Sequence, residues 1–260
     1  MYNFDFVKPG SVDEAVAALG SDDAQALGGG QTLIPTLKQR LAAPSTLVSL
    51  TGIADLAGIT SAGGAITIGG ATNHAAVAAD GSYPALSALA ANIGDPAVRN
   101  RGTIGGSLAN NDPSACYPAA ALASGATITT NTREIAADDY FQGMFETALE
   151  EGEIIKGVTF PIPEKGHYQK FVQPASRFAL VGVFVAKYAD GVRVAVTGAS
   201  NEGVFRWTEA EEALNANFSA DALADLTASA DNLIADLHGS ADYRAHLIKV
   251  MTGRAVTAAS

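Results

Sequence analysis

Two glycine clusters constrain this chain more than any other feature. Gly28-Gly29-Gly30-Gln31-Thr32 stands between a short apolar run and a segment of helical spacing, and Thr103-Ile104-Gly105-Gly106-Ser107 leads into a small polar run ending at the single cysteine, Cys116. Glycine loses more chain entropy on folding than other residues, by roughly 0.5–1 kcal/mol relative to alanine in regular structure. Three in a row are therefore hard to explain as a simple turn. A flexible turn and a cradle of backbone amides around a phosphate both fit the first cluster. The second allows the same two readings, with Thr103 and Ser107 adding hydroxyls and Asn110, Asn111 and Asp112 available to ribose or ribityl hydroxyls. The dinucleotide fingerprint G-x-G-x-x-G fails because Ile34-Pro35 stands where its third glycine belongs, and no G-x-x-x-x-G-K-[ST] occurs. Two such loops can close on one pyrophosphate from both sides.

The totals narrow the classes. With 260 residues, 48% hydrophobic and 17% charged, the chain can bury a sizeable core in one large or two ordinary domains. A net charge of −11 argues against nucleic acid and against an anionic membrane face. It leaves an anionic cofactor possible, since backbone N–H groups bind phosphate without lysine. One cysteine excludes an internal disulfide and an iron–sulfur cluster held by this chain alone. The start lacks the basic and apolar regions of a signal peptide. The longest apolar run, 178–186, is far short of the roughly 20 residues that span a bilayer and reads as a buried strand. A cytoplasmic location and no integral membrane segment are expected.

Along the chain, Ser11-Val12-Asp13-Glu14 is a capping box for a helix stopped by Gly20. Residues 24–27 read as a strand, 32–41 as a helix with Leu33, Leu37 and Leu41 on one face, and 46–50 as a strand. Gly63-Gly64 marks a hairpin within 56–70. Helices are expected at 71–79, 83–93 and 118–123, strands at 126–130 and 152–160, and a loop at 101–116. Pro161-Ile162-Pro163-Glu164-Lys165-Gly166 is a stiff link and the best domain boundary. Beyond it lie three strands, 168–172, 180–188 and 192–199, with a tight turn at Asp190-Gly191. Helical stretches follow from Ser219 and Asp242, with a second capping box at 208–211. Strands followed by helices give an α+β class.

Other chemistry is thin. The four histidines lack the i, i+4 spacing of a zinc pair, and no G-x-S-x-G elbow is present. Asp138-Asp139 and Glu150-Glu151 read as solvated faces, and Cys116 as a buried small hydrophobe.

G-G-G-Q-T-L-I-P at 28–35 and T-I-G-G-S-L-A-N-N-D-P at 103–113 resemble the flavin-binding (medium) subunit of molybdenum hydroxylases, the carbon monoxide dehydrogenase and xanthine dehydrogenase family. The resemblance covers essentially the whole chain. It implies an FAD-binding domain of the vanillyl-alcohol-oxidase (PCMH) type over 1–160, with subdomains of about 1–55 and 56–160. A C-terminal α+β domain, a three-stranded antiparallel sheet with a helix bundle, would occupy 161–260. FAD would lie between the subdomains, touching Gly28, Gly29, Gly30, Gln31 and Thr32 in one loop and Thr103, Ile104, Gly105, Gly106 and Ser107 in the other. Ile93, Ile155 and Lys170 fall at further family contacts, Lys170 toward the flavin. Cys116 stands where relatives often have an FAD-binding aspartate, and Arg177 where many have an acidic residue. The echo Thr67-Ile68-Gly69-Gly70 would support packing near FAD.

The family further implies an electron-transfer subunit with a large molybdopterin-binding partner and a small 2Fe-2S partner, in a dimer of heterotrimers. A flavin-free structural or regulatory subunit is the rival reading, and a stand-alone FAD oxidase a third.

Overall fold

The computed structural model describes residues 1–259. Its first sheet is parallel, with Thr46–Ser49 between Asp5–Val7 and Ala24–Leu27. Parallel neighbours need crossovers, and helices Val12–Leu19 and Leu33–Lys38 lie in them. Ser11 caps the first of these, its hydroxyl accepting from the Glu14 N–H at 3.2 Å. The Glu14 carboxylate returns to the N–H of Gly10 at 2.7 Å, so the reciprocal half of the capping box closes one residue early. The second helix stops at Lys38 rather than 41: Leu37 is buried, whereas Leu41 is 75% exposed and adds nothing to the core.

The second sheet is antiparallel and five-stranded, in the order Ile59–Ala62, Ala65–Gly69, Ile155–Pro161, Thr127–Thr130, Glu134–Ala136. The hairpin at its edge turns through Gly63 and Gly64, at φ +61° and +79°. Helices His74–Asp80, Pro84–Ala91, Ile104–Asn110 and Tyr117–Ser124 accompany it. The third of these corrects the loop expected at 101–116. Thr103 is its N-cap, accepting from the Gly106 N–H at 3.1 Å, and Ile104 and Leu108, one turn apart, are both fully buried. The glycine pair between them hides that period.

The third sheet is antiparallel: Lys165–Val172, Ala179–Tyr188, Gly191–Thr197 and Phe205–Arg206. It has four strands rather than three; the two-residue last strand is too short to carry a period. Only residues 162–164 separate this sheet from the second, because the expected link is itself strand at both ends. The apolar run at 178–186 is explained by burial on both faces. Phe184 and Ala186 enter one core with Tyr83, Leu86 and Tyr117, while Val181, Val183 and Val185 enter another against helices Thr208–Ala216 and Ala241–Ala259. The helix bundle expected here is instead two helices and one short 3-10 turn, Ala220–Leu223.

The capping box at 208–211 does not form. Thr208 lies inside the helix, and Glu211 is buried, accepting from the Val194 N–H at 2.8 Å and pairing with Arg206 at 2.5 Å. Asp138 and Asp139 are exposed, as expected of a solvated face, and Asp138 also pairs with Arg193 at 2.7 Å. No helix among the described residues is long and apolar enough to cross a membrane.

Phe184 is fully buried, edge-on to Tyr83 with centroids 6.1 Å apart and stacked on Tyr168 at 6.2 Å. Phe184→Ala is expected to lower unfolding free energy by about 3–5 kcal/mol, measured by urea titration.

Candidate functional site

The two glycine loops meet face to face. A Cβ on Gly28 would lie 2.9 Å from Thr103 Oγ1, and one on Gly106 would lie at the same distance from the same atom. A Cβ on Gly29 would run into the Arg101 carbonyl and come within 2.6 Å of Gly102 Cα. The echo motif joins this contact. Gly70 packs against the Ile155 carbonyl with no room for a side chain, and a Cβ on Gly105 would lie 2.6 Å from Gly70 O. That carbonyl also accepts the Gly105 N–H at 2.9 Å.

Beside this seam is a cavity of about 700 Å³, toward the upper end of the range for small-molecule sites, about 300–1,000 Å³. Gly28, Gly29, Gly30, Gln31 and Thr32 form one wall, and Thr103, Gly105, Gly106 and Ser107 another. Ile93, Cys116, Ile155 and Lys170 also line it. Ile104 does not. It is fully buried in the core, and its N–H donates to Thr72 O at 3.1 Å.

The loops differ in what they offer. The N–H groups of Gly29, Gly30, Gln31 and Thr32 form no hydrogen bond among the described residues. In the second loop the amides are engaged: Gly105 with Gly70 O, Gly106 with Thr103 Oγ1, Ser107 with Thr103 O. Among the described residues only the Thr103 N–H of this loop lacks a partner, so it offers less free backbone than the first, and the hydroxyls of Thr103 and Ser107 are its other polar groups on the wall. Asp112 and Asn110 line the cavity too. Asn111 does not; it is buried at φ +41°, with Nδ2 donating to Gly143 O and Glu146 O, both at 2.8 Å.

An anionic, hydroxyl-rich ligand suits free amides, close glycine walls and neighbouring hydroxyls. Residues 2–163 match the family model described as FAD binding domain in molybdopterin dehydrogenase. The chain belongs to this family. It is similar to the carbon monoxide dehydrogenase medium chain of Afipia carboxidovorans, 34% identical over 98% of this chain and 96% of that protein. The nicotine 6-hydroxylase medium subunit of Paenarthrobacter nicotinovorans is 32% identical over the same shares. A crystal structure of Cu,Mo-CO dehydrogenase superposes with a TM-score of 0.88 at 32% identity, covering 100% of this chain and 98% of that one. This protein is thus an FAD-binding medium subunit of a molybdenum hydroxylase complex, an oxidoreductase component whose cofactor is FAD.

Several wall residues of this FAD-binding subunit, Ser176, Phe178 and His74 among them, escape sequence reading. Ser176 and Phe178 arrive with Arg177, already singled out in the sequence, from the hairpin between the first two strands of the third sheet, with Ser176 and Arg177 at φ +56° and +61°. His74 is buried on the wall, its ring 5.3 Å from that of Tyr117 and its Nδ1 without a partner. Burial first, then the nearby Arg99 guanidinium, lowers its pKa to about 4, so the ring is neutral. Arg99 also fixes the segment of Ile93, donating to the carbonyls of Ile93 and Gly94 at 3.0 and 3.2 Å. Glu153 is held well below the usual carboxylate range, chiefly by its hydrogen bonds from Arg133 at 2.9 and 3.0 Å. Cys116 is 4% exposed, and the buried Tyr168 hydroxyl lies near it.

Two outcomes follow from this geometry. Gly29→Ala should force the loops apart and abolish FAD binding, whereas Gly52→Ala, with nothing within 4 Å of its Cβ, should bind FAD normally in an equilibrium titration. His74 has a folded pKa below its unfolded value of 6.5, so the unfolded chain takes up the proton first. As pH falls from 6.5 toward about 4, His74 should remove up to about 3 kcal/mol of stability. Denaturant titrations across that window should show a shallower loss in His74→Gln.

Proposed function

We propose that this subunit relays electrons within a complex in which a large molybdopterin-binding subunit oxidises the substrate and a small 2Fe-2S subunit passes the electrons on. FAD, when bound, supplies a two-electron redox centre that returns them to an external acceptor. The observation that carries this reading is the first glycine loop, whose unengaged amides lie on a cavity wall directly against the second loop.

In this reading Gly28, Gly29, Gly30, Gln31 and Thr32 hold the pyrophosphate, with Thr103, Gly105, Gly106 and Ser107 closing from the other side. Ile155 borders the adenine end and Lys170 the flavin end, and Ile93 touches the cofactor as well. The Lys170 ammonium is anchored to Asn92 O at 2.9 Å, which keeps a positive charge on the wall. A fixed cation favours added electron density nearby. Cys116 offers only a weak thiol where a carboxylate would accept strongly from hydroxyls, so Asp112, also on the wall, is the acceptor this reading assigns.

The reading further divides the chain into an FAD-binding domain at 1–160, with subdomains of about 1–55 and 56–160, and a C-terminal domain at 161–260. The assembly is a dimer of heterotrimers, and the location is the cytoplasm, which suits a chain whose one cysteine is a buried free thiol.

Purification of the chain with its partners tests this. The expected result is one extractable FAD per chain and flavin bleaching when the complex meets its substrate. A colourless complex that gains no flavin absorbance with added FAD would favour the flavin-free subunit. Bleaching by substrate in the isolated chain would favour a stand-alone oxidase.

A further inference from the structure

The cavity wall at 112–116 is not held by the FAD-binding segment alone. Pro113 O accepts the Gly198 N–H at 2.7 Å, and the Thr197 hydroxyl, which has one proton to donate, lies 3.0 Å from the same oxygen. Ala115 O, at 2.7 Å, is the nearer acceptor for that proton. Thr197 is 1% exposed and lies behind the wall, at the end of its strand. Both residues are outside the matched segment 2–163.

Their own positions are fixed in turn. Gly198 has φ +83°, and a Cβ there would collide with the Ala179 carbonyl. Its carbonyl accepts from Arg244 Nη1 at 2.8 Å, and the same nitrogen donates to Leu180 O at 2.6 Å. Arg244 is 2% exposed, with Nη2 2.9 Å from both carboxylate oxygens of Asp236. The turn carrying Asp236 also carries His238, whose Nδ1 is 2.5 Å from Gln173 Nε2 and whose ring stands edge-on to Phe178 at 5.4 Å. One buried guanidinium thus connects to two stretches of cavity wall, 112–116 and 176–178.

We propose that Thr197 is a positioning residue for the FAD site, setting the 112–116 wall from the C-terminal sheet with Gly198 and Arg244 behind it. The proposal rests on the reading of the cavity given under Proposed function. Its local character follows from the acceptors. Without the Thr197 hydroxyl, Pro113 O keeps the Gly198 N–H, whereas Ala115 O, next to Cys116, loses its donor.

The test uses the full chain in its complex, with Thr197→Val, which keeps the shape and removes the donor, and Thr197→Ser, which keeps the donor. Ile248→Val, in the core on the other face of the same sheet, serves as the stability control. Thr197→Val is expected to raise the FAD dissociation constant about ten-fold and to shift the bound-flavin absorption band. Thr197→Ser should stay near wild type, and Ile248→Val should lower Tm without moving affinity or band. Wild-type affinity and an unchanged band in Thr197→Val would overturn the proposal. So would a failure of Thr197→Ser to restore them, or an equal loss of affinity in Ile248→Val at matched Tm. A wild-type complex that holds no FAD overturns the functional reading and this proposal together; an FAD-loaded complex indifferent to Thr197→Val overturns this proposal alone.

Discussion

The contact on which the site depends is backbone against backbone. Gly29 lies on the Arg101 carbonyl, Gly70 on the Ile155 carbonyl, and Gly105 on Gly70, each without space for a β-carbon. These contacts bring the parallel sheet, the five-stranded sheet and the Ile104–Asn110 helix to a common seam. A seam of this kind gives a cavity walled largely by peptide groups. On the side where the amides are engaged by Thr72, Gly70 and Thr103, the wall is tied to the protein. On the Gly29–Thr32 side the amides are left for a ligand. The asymmetry arises because one loop opens a helix with its own side-chain cap, while Thr32 at the start of the other makes no capping hydrogen bond.

The third sheet does a different job. Its central strand is buried on both faces, so it cements two cores at once. That position lets it present the 176–178 hairpin to the cavity and support the 112–116 wall from behind. Burying the Arg244 charge is tolerable because its two Nη groups meet four acceptor atoms. A buried guanidinium lacking such partners would be strongly destabilising.

What could be read in advance follows from the kind of signal each element leaves. The glycine clusters are legible because Gly29 and Gly105 lie against backbone, Gly28 and Gly106 against the Thr103 hydroxyl, and Gly30 takes φ +74°, and the two-sided apolar strand is legible because double burial leaves a continuous run. The Ile104–Asn110 helix was obscured by the same glycines that make the seam. The stretch from 219 has alanine-rich helical propensity yet forms only a 3-10 turn, in which Leu223 alone is buried. Propensity without an apolar face to bury is a weak determinant. Ser176 and Arg177 adopt left-handed backbone without being glycine or asparagine, so no residue type announces the hairpin. His74, Thr197 and Arg244 depend on contacts from distant segments, which spacing along the chain cannot express.

Charge shows most plainly why totals and sites are separate questions. The chain carries −11 overall, yet the family's cofactor contains a pyrophosphate. The local groups resolve this. The wall carboxylate of Glu153 is neutralised by Arg133, His74 is uncharged, Lys170 adds an anchored cation, and the first loop contributes amide dipoles that need no charged side chain. Opposed to these stands Asp112, whose carboxylate already accepts the Ser114 N–H at 2.8 Å. The potential at an enclosed wall is set by such near groups, since charges beyond about 8–10 Å across solvent are largely screened. The surplus of acidic residues elsewhere governs solubility and the choice of macromolecular partners, while the cavity keeps an environment in which an anion can rest on peptide N–H groups.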